Sequence, residues 1–261
     1  MKKWLFPIIV LLFVFHNLTA CSNQNSEESV SLTVSAAASM QDALTKIKEK
    51  YEKDHRKVKI YFNFGSSGAL KQQITQGAPV DLFFSASESQ FNELIEKNLI
   101  SKNESTDLVG NDLVLIQNKT KTDLMLNGIT DLKDKKVKRI AVGTPESVPA
   151  GEYTKETLEK LQLWKKLEDK IVFAKDVRQV LTYVETGNVD AGFVYKTDAL
   201  VSQKVKITVV TENVNHSPII YPVGVIKDTK YKVEAMNFYH FLQSEQALEI
   251  FKEYGFHSIK K

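Results

Sequence analysis

From Ser31 onward, short β-branched runs alternate with amphipathic stretches, and this alternation constrains the fold more than any other feature of the sequence. A chain patterned in this way builds strand–helix–strand units, whose strands pair in parallel sheets covered by helices. The runs Leu32–Ala36, Lys57–Asn63, Asp81–Ser85, Asp112–Gln117, Val137–Val142, Asp190–Val194, Lys206–Val210 and Tyr221–Ile226 read as strands. Between them Met40, Leu44, Ile47 and Tyr51 recur at helical spacing, as do Val177, Val180, Leu181 and Val184, and also Leu158, Leu161 and Trp164. Each stripe is the core-facing side of a helix. The apolar stretch Met236–Phe251 reads as one more packing helix.

Roughly 230 residues exceed the usual size of one domain, yet no Pro/Gly/Ser-rich linker divides them. A chain that passes twice between two lobes has this appearance, with Val109–Asn111 and Glu212–Pro218 as candidate crossings. The expected fold class is α/β and two-lobed, each lobe a mostly parallel sheet flanked by helices, with two interlobe crossings. Lobe I takes residues 31–109 plus 217–261, and lobe II residues 110–216. Ligands of such folds sit at the carboxyl ends of the strands, between the lobes.

Ahead of this body, Lys2-Lys3, the apolar run from Trp4 to Phe15 and the small-residue end Asn17-Leu18-Thr19-Ala20 form the pattern of a secretory signal peptide over residues 1–20. The run is too short for a permanent spanning helix. Leu18-Thr19-Ala20-Cys21 resembles a bacterial lipobox, so Cys21 is the expected lipidation site, followed by a polar tether over residues 21–30. Two acyl chains suffice for stable anchoring at about 0.8 kcal/mol per buried methylene. The expected location is the outer face of the cell membrane.

Several function classes drop out. Cys21 is the only cysteine, which excludes a disulfide framework and cysteine-based metal sites. Without Lys2 and Lys3 the chain carries 33 basic against 32 acidic residues, too balanced for a nucleic-acid binder. No Walker-type loop, Gly-x-Gly-x-x-Gly or His-Glu-x-x-His occurs. A serine hydrolase would show a Gly-x-Ser-x-Gly elbow, which is missing, and none of the five histidines lies in the motifs described next.

Four strand-to-helix junctions carry small or hydroxyl residues: Ser35-Ala36-Ala37-Ala38-Ser39-Met40, Gly65-Ser66-Ser67-Gly68-Ala69-Leu70, Thr144 to Gly151, and Asp176-Val177-Arg178. A helix start presents unpaired N–H groups and a positive dipole end, which suits an anion. Hydroxyls add directed donors without charge, and the small neighbours let an oxyanion approach the backbone. Singly, each junction is ordinary: Ser39 reads as an N-cap, Ser66-Ser67-Gly68 as a turn, Asp176 as a cap, Pro149 as a helix start, Tyr195 as a packing residue and Arg178 as solvent-facing. Four in one exported two-lobed chain point to a shared anion site.

Together these segments resemble the molybdate-binding subunits of ABC importers, which are type II solute-binding proteins. The resemblance spans residues 31–256 and rests on Ala36-Ala37-Ala38-Ser39, Gly77-Ala78-Pro79-Val80-Asp81-Leu82-Phe83, Ala141-Val142-Gly143 with Pro145-Glu146 and Val148-Pro149-Ala150-Gly151, and Asp176-Val177-Arg178. It continues in Gly192-Phe193-Val194-Tyr195 with Thr197-Asp198-Ala199, in Tyr221-Pro222-Val223, and in Phe251-Lys252 with Tyr254-Gly255-Phe256. The resemblance implies that the hydroxyls of Ser39, Ser67 and Tyr195 and the N–H groups of Ala150 and Val177 hold the oxyanion. Ser66 is the alternative to Ser67, because Gly68-Ala69 follows where some relatives carry Ser-Thr. It further implies molybdate or tungstate as ligand, with sulfate or another small anion as the alternative, and no direct metal coordination, cofactor or catalytic residue. The implied partners are an ABC permease and its ATPase subunit, the protein itself being a monomer that closes about a hinge.

Overall fold

The computed structural model describes residues 29–259 other than residue 123; the signal segment, Cys21 and residues 22–28 of the tether lie outside the described residues. Strand β1 (Val30–Ala37) runs through a 3-10 turn (Ala38–Met40) into α1 (Gln41–Asp54). Next come β2 (Val58–Gly65), α2 (Ser67–Thr75), β3 (Leu82–Phe84), α3 (Glu88–Glu96), β4 (Ile100–Gly110) and β5 (Leu113–Asn118). They are followed by β6 (Ile140–Gly143), α4 (Pro149–Lys160), α5 (Trp164–Leu167), β7 (Ile171–Ala174), α6 (Val177–Glu185) and β8 (Ala191–Tyr195). The chain ends with α7 (Lys196–Leu200), β9 (Val205–Val210), β10 (Ile220–Ile226), α8 (Lys232–Leu242) and α9 (Glu245–Glu253).

Two five-stranded sheets result, in the orders β2-β1-β3-β10-β4 and β7-β6-β8-β5-β9. Each sheet is mixed. In the first, β1 pairs in parallel with β2 and β3, while β10 runs antiparallel to β3 and β4. In the second, β6 is parallel to β7 and β8, and β5 is antiparallel to β8 and β9. The parallel character is thus confined to the strand–helix–strand half of each sheet. The antiparallel half is made where the chain changes sheets, since β4 leads directly into β5 and β9 into β10. Central strands such as β5 and β8 are buried along their whole length, as strands covered on both faces must be.

The helical stripes fold as patterned. Ala43, Leu44, Ile47 and Tyr51 of α1 are buried, as are Val177, Val180, Leu181 and Val184 of α6. Three local readings need correction. The stripe Leu158, Leu161, Trp164 is not one helix, because α4 ends at Lys160 and Gln162 takes a left-handed φ of 56° before α5 begins. Met236–Phe251 is likewise two helices, broken where Ser244 accepts a capping hydrogen bond from Ala247 N–H. Strands β4 and β7 carry no readable alternation: β4 is polar from Ser101 to Asp107, and β7 has four residues. Both are edge strands, and both are only partly buried, so their residues need not be apolar.

The largest buried cluster draws on both sheets, including Leu32, Val34 and Tyr221 from the first and Leu113, Phe193 and Tyr195 from the second. Packing is therefore continuous across the junction of the two lobes, where the Tyr195 and Tyr221 rings meet edge to face at 5.7 Å.

Candidate functional site

All four junctions converge on one cavity between the sheets. It is lined by Ala37, Ala38, Ser39, Gly65, Ser66 and Ser67 with Ala86 from the first lobe, and by Val148, Pro149, Ala150, Asp176, Val177 and Tyr195 from the second. Every predicted contact, namely Ser39, Ser67, Ala150, Val177 and Tyr195, lines it. The cavity volume is about 10 Å³, far below the ~300 Å³ at which sites for organic ligands begin. Among the described residues, no Lys, Arg or His lines it.

Each group is delivered by local chain chemistry. Ala37, at φ −53° and ψ 135°, turns the chain out of β1 and into the 3-10 turn that carries Ser39. Ser39 does not cap a helix, contrary to its isolated reading. Its buried Oγ lies 2.9 Å from the Tyr221 hydroxyl. Ser66 is the N-cap of α2 but makes no side-chain cap bond, which leaves Ser67 as the first helical residue. Ser67 is fully buried and its Oγ accepts the Ala86 N–H at 2.9 Å, so its own proton is free for another acceptor.

In the second lobe Pro149 opens α4 and has no N–H, so the first donor of that helix start belongs to Ala150. The approach is close: a Cβ on Gly151 would stand 1.9 Å from the Gly143 carbonyl oxygen, so only glycine lets α4 begin this near the end of β6. Asp176 caps α6 by accepting Gln179 N–H at 2.8 Å. The N–H of Val177, one residue into the helix, stays clear of that cap. Tyr195 ends β8 fully buried, and its hydroxyl has no hydrogen-bond partner among the described residues. Burial pushes the phenols of Tyr195 and Tyr221 well above the ordinary tyrosine range, so both remain protonated donors at neutral pH.

The lobes meet directly around this cavity. Gly68 N–H of α2 donates to Ser147 C=O across the mouth at 3.0 Å, and the Tyr153 hydroxyl of α4 donates to Ala86 C=O at 3.3 Å. Arg178 is not solvent-facing. Its guanidinium pairs with Asp42 of α1 in the first lobe and places Nε 2.9 Å from Asp198 Oδ1 of α7 in the second. Burial drives Asp198 up to about 6, against the opposing pull of Arg178. With two carboxylates on one guanidinium, Arg178 is a neutralised clamp between lobes and offers no net positive charge to the cavity.

Sequence reasoning gave no role to Tyr221, Asn111, Asp42 or Asp198. Asn111 lies where the chain leaves the first sheet, and its Nδ2 donates to Thr197 Oγ1 at 3.0 Å and to the Tyr221 hydroxyl at 3.2 Å. Tyr221, Asn111 and Asp198 were signalled only by their places in the Tyr-Pro-Val block, the crossing and the Thr-Asp-Ala block, and Asp42 by nothing local.

Residues 32–257 match the family described as bacterial extracellular solute-binding protein. The chain is 54% identical over 252 residues to YvgL of Bacillus subtilis, provisionally named as an ABC transporter substrate-binding lipoprotein, covering 95% of this chain and 96% of that one. It is 41% identical over 233 residues to the molybdate-binding protein ModA of Haemophilus influenzae, covering 87% and 90%. Among solved structures, the periplasmic molybdate-binding protein of Azotobacter vinelandii superposes with a TM-score of 0.80 at 26% identity, covering 88% of this chain and all of the other.

Proposed function

The chain belongs to the bacterial extracellular solute-binding proteins, and on that premise we propose that it captures molybdate, and tungstate with it, and delivers the anion to an ABC permease. The family binds solutes and is not a family of enzymes. Relatives named for molybdate binding favour this ligand. One observation carries the reading: the buried hydroxyl of Tyr195, unpartnered among the described residues, at a cavity that no described cation lines. A buried hydroxyl without a partner costs about 1–3 kcal/mol, which a bound acceptor returns.

The ligand shell consists of the hydroxyls of Ser39, Ser67 and Tyr195 and the N–H groups of Ala150 and Val177, all neutral donors. A desolvated dianion needs donors at most of its lone pairs, and one without a proton needs no acceptor in return. Charge-assisted bonds contributing about 1.5–3 kcal/mol each support affinities between micromolar and nanomolar once closure is offset. Tungstate is nearly isosteric with molybdate, whereas sulfate is smaller and would meet longer, weaker bonds.

The moving units are residues 31–109 with 217–261 and residues 110–216. They close about the crossings so that donors from both reach the anion, and the closed monomer docks on the permease, whose ATPase subunit does the hydrolysis. Lipid on Cys21 holds the protein at the outer membrane face. Titration calorimetry with molybdate, tungstate, sulfate and phosphate tests the ligand, and sulfate binding more tightly than molybdate overturns it. Ser39→Ala and Ser67→Ala are each expected to weaken molybdate by about 1–3 kcal/mol with the fold intact; unchanged affinity in both rejects the site.

A further inference from the structure

The hydroxyl of Ser39 can either donate to the cavity or accept from it, and the hydrogen bonds behind it decide which. Asp112 N–H donates to Asn111 Oδ1 at 2.9 Å. That bond fixes the amide orientation and turns Nδ2, which can only donate, toward Thr197 Oγ1 and the Tyr221 oxygen. Tyr221 is fully buried, and burial keeps its phenol protonated. The acceptor available to its proton is Ser39 Oγ at 2.9 Å. Were Ser39 instead to donate to Tyr221, the phenolic proton would be buried without a partner, a costly arrangement.

The chain of donors therefore runs in one direction, from Asn111 through Tyr221 to Ser39, and the serine proton is left facing the cavity that Ser39 lines. We propose that Asn111 and Tyr221 are positioning residues that hold Ser39 as a donor, so that the site takes fully ionised tetrahedral oxyanions in preference to protonated ones. Their placement links the lobes as well: Asn111 lies at the crossing from β4 to β5, Tyr221 stands in β10 of the first sheet, and Thr197 belongs to α7 of the second lobe. Polarity in such chains is cooperative, since each donor strengthens the next. The proposal rests on the anion site described above and adds the groups that set the hydrogen-bonding sense of one of its hydroxyls.

A double-mutant cycle read by titration calorimetry tests it on the full-length protein, with molybdate and hydrogen phosphate as probes. Tyr221→Phe keeps the ring and its packing, and is expected to weaken molybdate by ~5–10-fold. In a Ser39→Ala background the same substitution is expected to have almost no effect, whereas in a Ser67→Ala background it keeps its full effect. A purely structural role for Tyr221 would act equally in both. Asn111→Asp turns the donor into an acceptor, and is expected to lower the ratio of molybdate to hydrogen phosphate affinity by at least ~10-fold through reversal of the chain. Circular dichroism and melting of the ligand-free variants separate misfolding from altered binding; should Asn111→Asp fail to fold, the Tyr221→Phe cycle decides alone. Additive effects in the Ser39→Ala background overturn the relay while leaving the anion site standing. Failure of the wild-type protein to bind molybdate, tungstate, sulfate or phosphate overturns the site and the relay together.

Discussion

Gly68 offers a perturbation in which binding and stability should move in opposite directions. It lies in α2 beside Ser67, and its N–H donates across the mouth of the cavity to Ser147 C=O at 3.0 Å. A Cβ built there stands 2.7 Å from that carbonyl oxygen and 2.8 Å from Ser147 Cα. Both neighbours are backbone, so neither can swing aside. Reaching ordinary contact at 3.4 Å requires the second lobe to retreat by about 0.7 Å, which stretches the interlobe hydrogen bond past useful length. Losing that bond contributes about 1 kcal/mol and the overpacking ~1–2 kcal/mol, both felt only in the closed arrangement. Gly68→Ala should therefore weaken molybdate by about 2–3 kcal/mol, ~30–150-fold, by disfavouring closure. Alanine is meanwhile the better helix former by about 0.5–1 kcal/mol, so the ligand-free variant should melt at the same temperature or slightly higher. Calorimetric titration combined with ligand-free melting reads both effects. Affinity within twofold of wild type would show that the loop before α4 absorbs the added methyl, and the reasoning from lobe contact would fail.

Tyr195→Phe removes a buried hydroxyl that has no partner among the described residues; ligand-free melting should hold or rise, while molybdate affinity drops by about 1.5–3 kcal/mol. Equal affinity in titration would take Tyr195 out of the site. Asp198 gives a pH test: its folded value of about 6 exceeds the ordinary 3.8, so the folded state binds more protons between those limits. Its contribution to stability is complete below pH ~4 and is lost as pH rises toward ~6. Asp198→Asn should remove that downward component from a denaturation series across pH 3.5–7 (~ range set by the ordinary and folded values), and an unchanged slope difference would refute the assignment. Cys21→Ala should shift the protein from the membrane fraction to the soluble exported fraction, with molybdate titration unaltered; continued membrane retention would argue against a lipid on Cys21.

Interactions that act over a few residues were legible in the sequence. Alternation in Leu32–Ala36 and the buried stripe of α1 declared a strand and a helix, because burial periodicity is a property of neighbouring residues. Small and hydroxyl residues at the helix starts declared the donor groups in the same way, and Asp176 caps α6 as its position implied. Edge strand β4 was hidden because a polar strand with one neighbour leaves no apolar rhythm. What the hydroxyls bond to was decided elsewhere. Ser39 meets Tyr221 across 182 positions, and Arg178 meets Asp42 across 136. No spacing rule reaches that far. Those pairs exist because the order of strands in two sheets, and the contact between lobes, bring distant segments within hydrogen-bonding range. The sequence by itself determined which kinds of donor stand at the helix starts; the tertiary structure decided that they face one cavity, that Arg178 is neutralised beside it, and that Ser39 meets the Tyr221 hydroxyl.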